Sequence, residues 1–408
     1  MVQPPRHAVA ITGGPARPNL NSASSPTPFG KWDSGPPPSN FGAMTSHDRL
    51  IAAFRREPVD RVPVRLWGFD HRRNQPEPTF QQLAEIARTH ELDLLNHWGP
   101  RTESTVELQM QHETRFSHHD GFVEDVTTIH TPKGPLTKAH LRSLEGKPGY
   151  HSKYLLETPE DTERWLSIPW SPPVVDCSDW ETAVAELGDD GLLVAGIGEA
   201  MYAINDLTGS ETWAYWLVEE RDLLHRLVGE AHLRQMHVLK EMLAQGVRGV
   251  YGYVGPELCI PPLASPRDFD EFVVRYDQPM HDLIHEAAGM VWLHCHGKMG
   301  LVLERFADEG VDCLNPLEPP PMGDVTVAAA RRRSSSKNGW WLSTATIVPV
   351  VCLASWIVGV PLPQPMSKIL SAGESVVSFL AERSVSSAFI VEALSPGPRR
   401  GNDGSKIS

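Results

Sequence analysis

The chain has 408 residues, with 51 acidic side chains against 37 basic ones and a formal charge of -14. Phosphate binding needs a concentrated positive surface, and the longest basic run is only Arg331, Arg332 and Arg333, so this balance argues against a nucleic-acid partner. The length allows one large core or two domains, and five scattered cysteines without a CxxC pair argue against a disulfide framework and for a reducing, cytoplasmic setting.

Residues 1–43 are rich in Pro, Gly, Ser and Asn, lack apolar periodicity, and are expected to form a disordered extension. Met44 opens patterned sequence and reads as a candidate start of the functional protein. Thr45 with Asp48 has capping-box spacing, and a helix is expected to about Glu57. From about 60 to 333, short apolar runs alternate with amphipathic stretches. The expected strands are 61–69, 92–98, 191–197, 247–254, 290–296 and 311–317. Between them, Phe80, Leu83, Ile86 and Ala87 fall at helical spacing within 79–90. Thr158 before Pro159 and Ser265 before Pro266 each place a cap ahead of a proline at the first helical position. Ser210 is expected to cap a long helical region reaching Gln245 and Gly246.

Residues 115–142 break the alternation and read as an antiparallel hairpin inserted after the second strand. Six βα-type units plus an insertion suit an α/β fold, a (β/α)8 TIM-type barrel lacking or replacing its last two units. A doubly wound open sheet is the alternative. After Arg333 the chain turns Ser-rich, and 346–362 is apolar, interrupted by Pro349, Gly359 and Pro361. A membrane span is the lesser reading of that stretch. No βα pattern resumes, so 334–408 is expected to be an atypical tail, as a shifted reading frame or mis-joined exon would produce. The barrel is then 44–333.

The chemistry-bearing residues gather at expected strand ends. Alternation puts His294 and His296 on one side of the fifth strand and Cys295 on the other. Trp67, Asp70, His97, Glu199, Glu257, Asn315 and Glu318 stand at the other ends and would share one mouth. Zinc would take His294 and His296, one further ligand and an open position. Metal-free acid–base chemistry would instead pair a histidine with a carboxylate. No phosphate loop, no GxGxxG after a strand and no GxSxG elbow occurs, which disfavours nucleotide-dependent and serine-hydrolase chemistry.

Four blocks of this sequence resemble the uroporphyrinogen decarboxylase superfamily: 45–64, 196–209 with the following helix, 255–266, and 294–297 continued by 315–324. The resemblance covers about 45–333. It implies a (β/α)8 barrel and one of two activities, tetrapyrrole decarboxylation or zinc-dependent methyl transfer between corrinoid and thiol carriers. The decarboxylase's arginine signature is replaced by Leu66 to Asp70, and the place of its catalytic aspartate reads Asn96 to Pro100. The methyltransferases begin their zinc site with His-x-Cys at this strand end, where the chain has His294, Cys295 and His296.

Metal-assisted methyl transfer is therefore the leading expectation, and uroporphyrinogen decarboxylation the alternative. A truncated, inactive barrel is a third reading, of another class. The resemblance implies a metal role for His294 and His296; Glu257 and Glu318 are candidate further ligands or acid–base groups, and His97 is a further catalytic candidate. Trp67, Tyr202 and Asn315 are the substrate-facing candidates. The implied substrate is a small molecule or a tetrapyrrole or corrinoid, and a homodimer is left open.

Overall fold

The computed structural model describes residues 42–330 and the backbone of 348–350, so expectations for 1–41 and for the rest of the tail lie outside the described residues. Helix α1 (Ser46–Phe54) is capped by Thr45, whose Oγ1 accepts the Asp48 N–H at 3.0 Å. It leads to β1 (Val64–Leu66), α2 (Pro78–Thr89) and β2 (Leu94–Trp98). Four antiparallel strands follow, Met110–Phe116, Phe122–Thr131, Gly134–Ser143 and Tyr150–Lys153. The hairpin expected over 115–142 is the middle of this sheet. Its first strand is exposed along its whole length and carries no buried alternation, so hydrophobic pattern could not announce it.

The chain then resumes its βα rhythm through β3 (Gly191–Gly196), α3 (Ala200–Glu219), α4 (Arg221–Ala244), β4 (Val250–Val254), α5 (Arg275–Glu286), β5 (Met290–His294) and β6 (Cys313–Asn315). All six expected strands are present, several trimmed at their ends. The caps at Thr158 and Ser265 are formed as capping boxes. The long helical region starts earlier than Ser210 suggests, because Glu199 caps it ahead of Ala200. Gly209 breaks it just before Ser210, with φ 68°, and a Cβ there would lie 2.3 Å from the Tyr154 ring. Only glycine fits that corner.

Strands β6, β5, β4, β3 and β2 lie side by side, all parallel, in a mixed α/β fold. β1 lies outside this ladder but beside the entry of β2, where the Asp93 N–H donates to the Val64 carbonyl at 2.8 Å. The backbone of Val348–Val350 runs parallel to β1. Adjacent strands are about 4.8 Å apart, so a flat sheet would hold β1 and β5 roughly 19 Å from each other. Yet the rings of Trp67 and Trp292 are 5.7 Å apart, centroid to centroid. The sheet must curl strongly to bring them together.

Side chains on the concave face (Leu95, Leu192, Val194, Val250, Trp292 and Cys313) pack with Leu50 and Phe54 of α1, which closes the amino end of that face. On the convex face Tyr251, Tyr253, Val291, Leu293 and Cys295 join a larger core with Trp213, Leu224, Leu239, Phe272 and Ile284 of the helices. No helix among the described residues is long and apolar enough to cross a membrane.

The first resembling block, 45–64, turns out to hold the fold together. Arg49 grips Asp60 through Nε (2.6 Å) and Nη2 (2.8 Å), and reaches Asp93 through Nη1 (2.6 Å). Arg61 donates to the same Asp93 at 2.8 Å. These bonds tie α1 to the entry of β1 and β2 beneath the sheet.

Candidate functional site

The carboxyl ends of the strands on the concave face carry the site. Strand register aligns Val254, His294 and Asn315 on β4, β5 and β6. Alternation along β5 then sends Trp292, His294 and the following His296 inward, while Cys295 is fully buried in the outer core, as the sequence predicts. The His294 and His296 rings meet edge-on at 4.5 Å. Trp67 lies 4.6 Å from His294, and His97 lies 5.1 Å from Trp292. Asn315 is buried beside His294, and Glu318 enters from the loop after β6. Six sequence-expected residues therefore converge: Trp67, His97, His294, His296, Asn315 and Glu318.

Glu318 is the pivot. Its Oε1 is 3.2 Å from His296 Nδ1, and its Oε2 accepts the Gly297 N–H at 2.9 Å. Gly297 has φ 104°, a left-handed turn that aims this N–H back at the carboxylate and that a side chain would strain. Burial alone would raise the Glu318 carboxyl, but the His296 ring and the Gly297 N–H together hold it below its ordinary value. His294 is driven the other way: burial, then the neighbouring His296 and Arg65, push it down to about 3. Burial and Arg65 likewise lower His97 to about 4. Both imidazoles are neutral at physiological pH. Asp70 stands apart, locked by Arg72 and by the Asn96 amide at 2.9 Å.

Two expected residues stand on other elements, Glu257 after β4 and Tyr202 on α3. Glu257 opens a 3-10 turn after β4, and its charge acts on Glu199 and on the Cys295 thiol, a group of the convex face. Tyr202 sits in the first turn of α3, 40% exposed. Glu199 itself is buried and spends both oxygens on the Met201 and Tyr202 N–H groups.

Around Glu199 lies a group that sequence reasoning missed. Burial, and then the charge of buried Asp277, raise the carboxyls of Glu199 and Glu309. The Tyr253 hydroxyl is 3.3 Å from Asp277 Oδ2 and 2.7 Å from His281 Nε2, and His281 Nδ1 donates to the Glu309 carbonyl at 2.6 Å. Asp277 and His281 share a face of α5 at i,i+4 spacing, but Tyr253 comes from β4, Glu199 from the cap of α3 and Glu309 from a later loop, so only part of the group has a local signal. Arg65 was missed too, although alternation back from Trp67 places it on the same face. It is 2% exposed.

A zinc ion held by protein needs three or four converging ligands. His296 Nδ1 and Glu318 Oε1 are spaced as two such ligands would be, but among the described residues no three His, Cys, Asp or Glu side chains converge as a metal ion requires. The donor set does not fit zinc by itself.

No protein-family model matches the chain, and no curated protein matches it. Among solved structures, a methyltransferase from Methanosarcina mazei is similar to it, with 18% sequence identity and a TM-score of 0.35, over 67% of this chain and 76% of that one. A superposition that loose carries no argument, and the function is argued from the residues of the site.

Proposed function

We propose that this chain is an enzyme that transfers a methyl group to a thiol, working at the carboxyl end of the curled sheet, which we read as the larger part of a (β/α)8 barrel. The observation that carries the reading is the His296–Glu318 pair, 3.2 Å between Nδ1 and Oε1, beside the neutral His294 ring. The two groups are close but not yet aligned as a hydrogen bond, and catalytic hydrogen bonds of this kind tighten when substrate arrives. Once Nδ1–H turns onto the carboxylate, the His296 lone pair sits on Nε2.

A thiol placed there gives its proton to Nε2, and the charge of Glu318 stabilises the imidazolium. The thiolate sulfur attacks the donor's methyl carbon. As the new C–S bond forms, the bond from that carbon to the donor breaks and its electron pair leaves with the donor. Trp67, His97 and Asn315 surround the space where the substrate would lie. A corrinoid donor is what the family resemblance implies.

The test uses the full chain with methylcobalamin as donor and 2-mercaptoethanol as acceptor, following loss of the methyl–cobalt absorbance. We expect turnover above buffer, falling about 10²- to 10⁴-fold in His296→Ala. Folded wild-type protein no faster than buffer with this and other small thiols would overturn the reading.

A further inference from the structure

Arg65 projects from the middle of β1 onto the concave face, where an arginine is expected to find a carboxylate. Its Nη1 donates to the Leu95 carbonyl at 3.2 Å, and its guanidinium lies 4.4 Å from the Trp67 ring and 5.5 Å from the Trp292 ring. The other two nitrogens, Nε and Nη2, are buried and have no hydrogen-bond partner among the described residues. Burial lowers its pKa only to about 10, so the group keeps its charge at neutral pH. The imidazoles beside it, His97 and His294, are neutral. Two aromatic faces and one carbonyl are poor compensation for a desolvated cation.

Nε and Nη2 form one edge of the guanidinium fork, the edge that matches the two oxygens of a carboxylate. The same protein uses this edge for that purpose elsewhere, in Arg72 with Asp70 and Arg142 with Asp125 among others. Arg49 holds Asp60 through it at 2.6 and 2.8 Å, and Arg221 holds Glu271 through it at 3.3 and 2.6 Å. In Arg65 the edge is empty.

We propose that Arg65 is the anchor of a ligand-binding site for a carboxylate, bound side-on by Nε and Nη2 and flanked by the indoles of Trp67 and Trp292. The proposal deepens the reading of this face as a substrate site and names the class of group the substrate carries there. Neither nitrogen meets solvent in the structure described, so an entering carboxylate must displace a ring. Trp67 is the one that can yield, since Trp292 is 2% exposed and Trp67 is only half-buried.

The experiment titrates the full chain with benzoate, acetate and inorganic phosphate, by calorimetry and by tryptophan fluorescence. Benzoate should bind at one site per chain and change the fluorescence. Trp67→Phe should lose the optical signal while calorimetric binding persists. Arg65→Lys keeps a charge without the fork and should weaken binding about tenfold or more. Arg65→Met should abolish binding, with a melting temperature equal to or above wild type, because a desolvated cation is removed and no internal counter-ion is lost.

Equal benzoate affinity in Arg65→Met would overturn the proposal. So would a marked drop in its melting temperature, which would reveal an internal counter-ion, and so would phosphate displacing benzoate at equal concentration. Binding is read without turnover. A failure here leaves the His296–Glu318 reading standing, and an absence of methyl transfer leaves this one standing.

Discussion

Replacing Asp93 by alanine should cost more than any change at the site, although Asp93 touches no candidate catalytic group. Its side chain is fully buried and accepts four hydrogen bonds. Oδ1 takes Arg49 Nη1 (2.6 Å) and Arg61 Nη2 (3.2 Å), while Oδ2 takes Arg61 Nη1 (2.8 Å) and the Val64 N–H (2.8 Å). Alanine leaves the backbone N–H unsatisfied and removes a shared anion from between two guanidiniums. Arg61 can turn toward water, being a third exposed, and Arg49 keeps Asp60. Breaking a buried pair by removing one partner costs about 3–5 kcal/mol. In a body of this size each kcal/mol moves the melting temperature by roughly 2–4 °C, so a fall on the order of 10 °C is expected. Urea unfolding and thermal melts of wild type, Asp93→Ala and Asp93→Asn measure it, with asparagine between the other two. A change below about 1 kcal/mol would show that the Arg49 cluster is a surface-like pair and refute the structural role assigned to residues 45–64.

Two further outcomes follow from the buried groups. Burial raises Asp277 from the usual carboxylate range to about 7, and raises Glu199 and Glu309 as well. An acid whose folded pKa lies above its unfolded one, about 4, stabilises fully below pH 4 and loses that contribution as pH climbs through 7. Melting temperature should therefore decline from about pH 4 to pH 7, and Asp277→Asn should decline less; parallel curves would contradict the assignment. Gly297→Ala should strain the left-handed turn by about 1 kcal/mol or more and pull the N–H off Glu318, lowering turnover with little change in overall helix content. Full activity in that variant would separate the turn from the chemistry.

Much of this arrangement is legible in the residues themselves. Strand–helix alternation gives the six strands, five of which form one parallel sheet, and the period of two along β5 separates His294 and His296 from Cys295, as the structure bears out. Proline-led caps mark the helices at Thr158 and Ser265. What escapes is whatever depends on tertiary closure. Asp277 and Glu309 lie far from Glu199 in sequence, and packing alone brings their charges together. Arg65 looks like any strand arginine until the sheet curls Trp292 over it.

The most direct measurement of the central claim is turnover of thiol methylation by Glu318→Gln against wild type, at matched protein and saturating thiol. Glutamine keeps the size of the side chain and the means to accept the Gly297 N–H, but removes the charge that stabilises the His296 imidazolium. Turnover falling roughly 10²-fold with KM within about threefold is the predicted result. Unchanged turnover in folded Glu318→Gln protein would contradict the account.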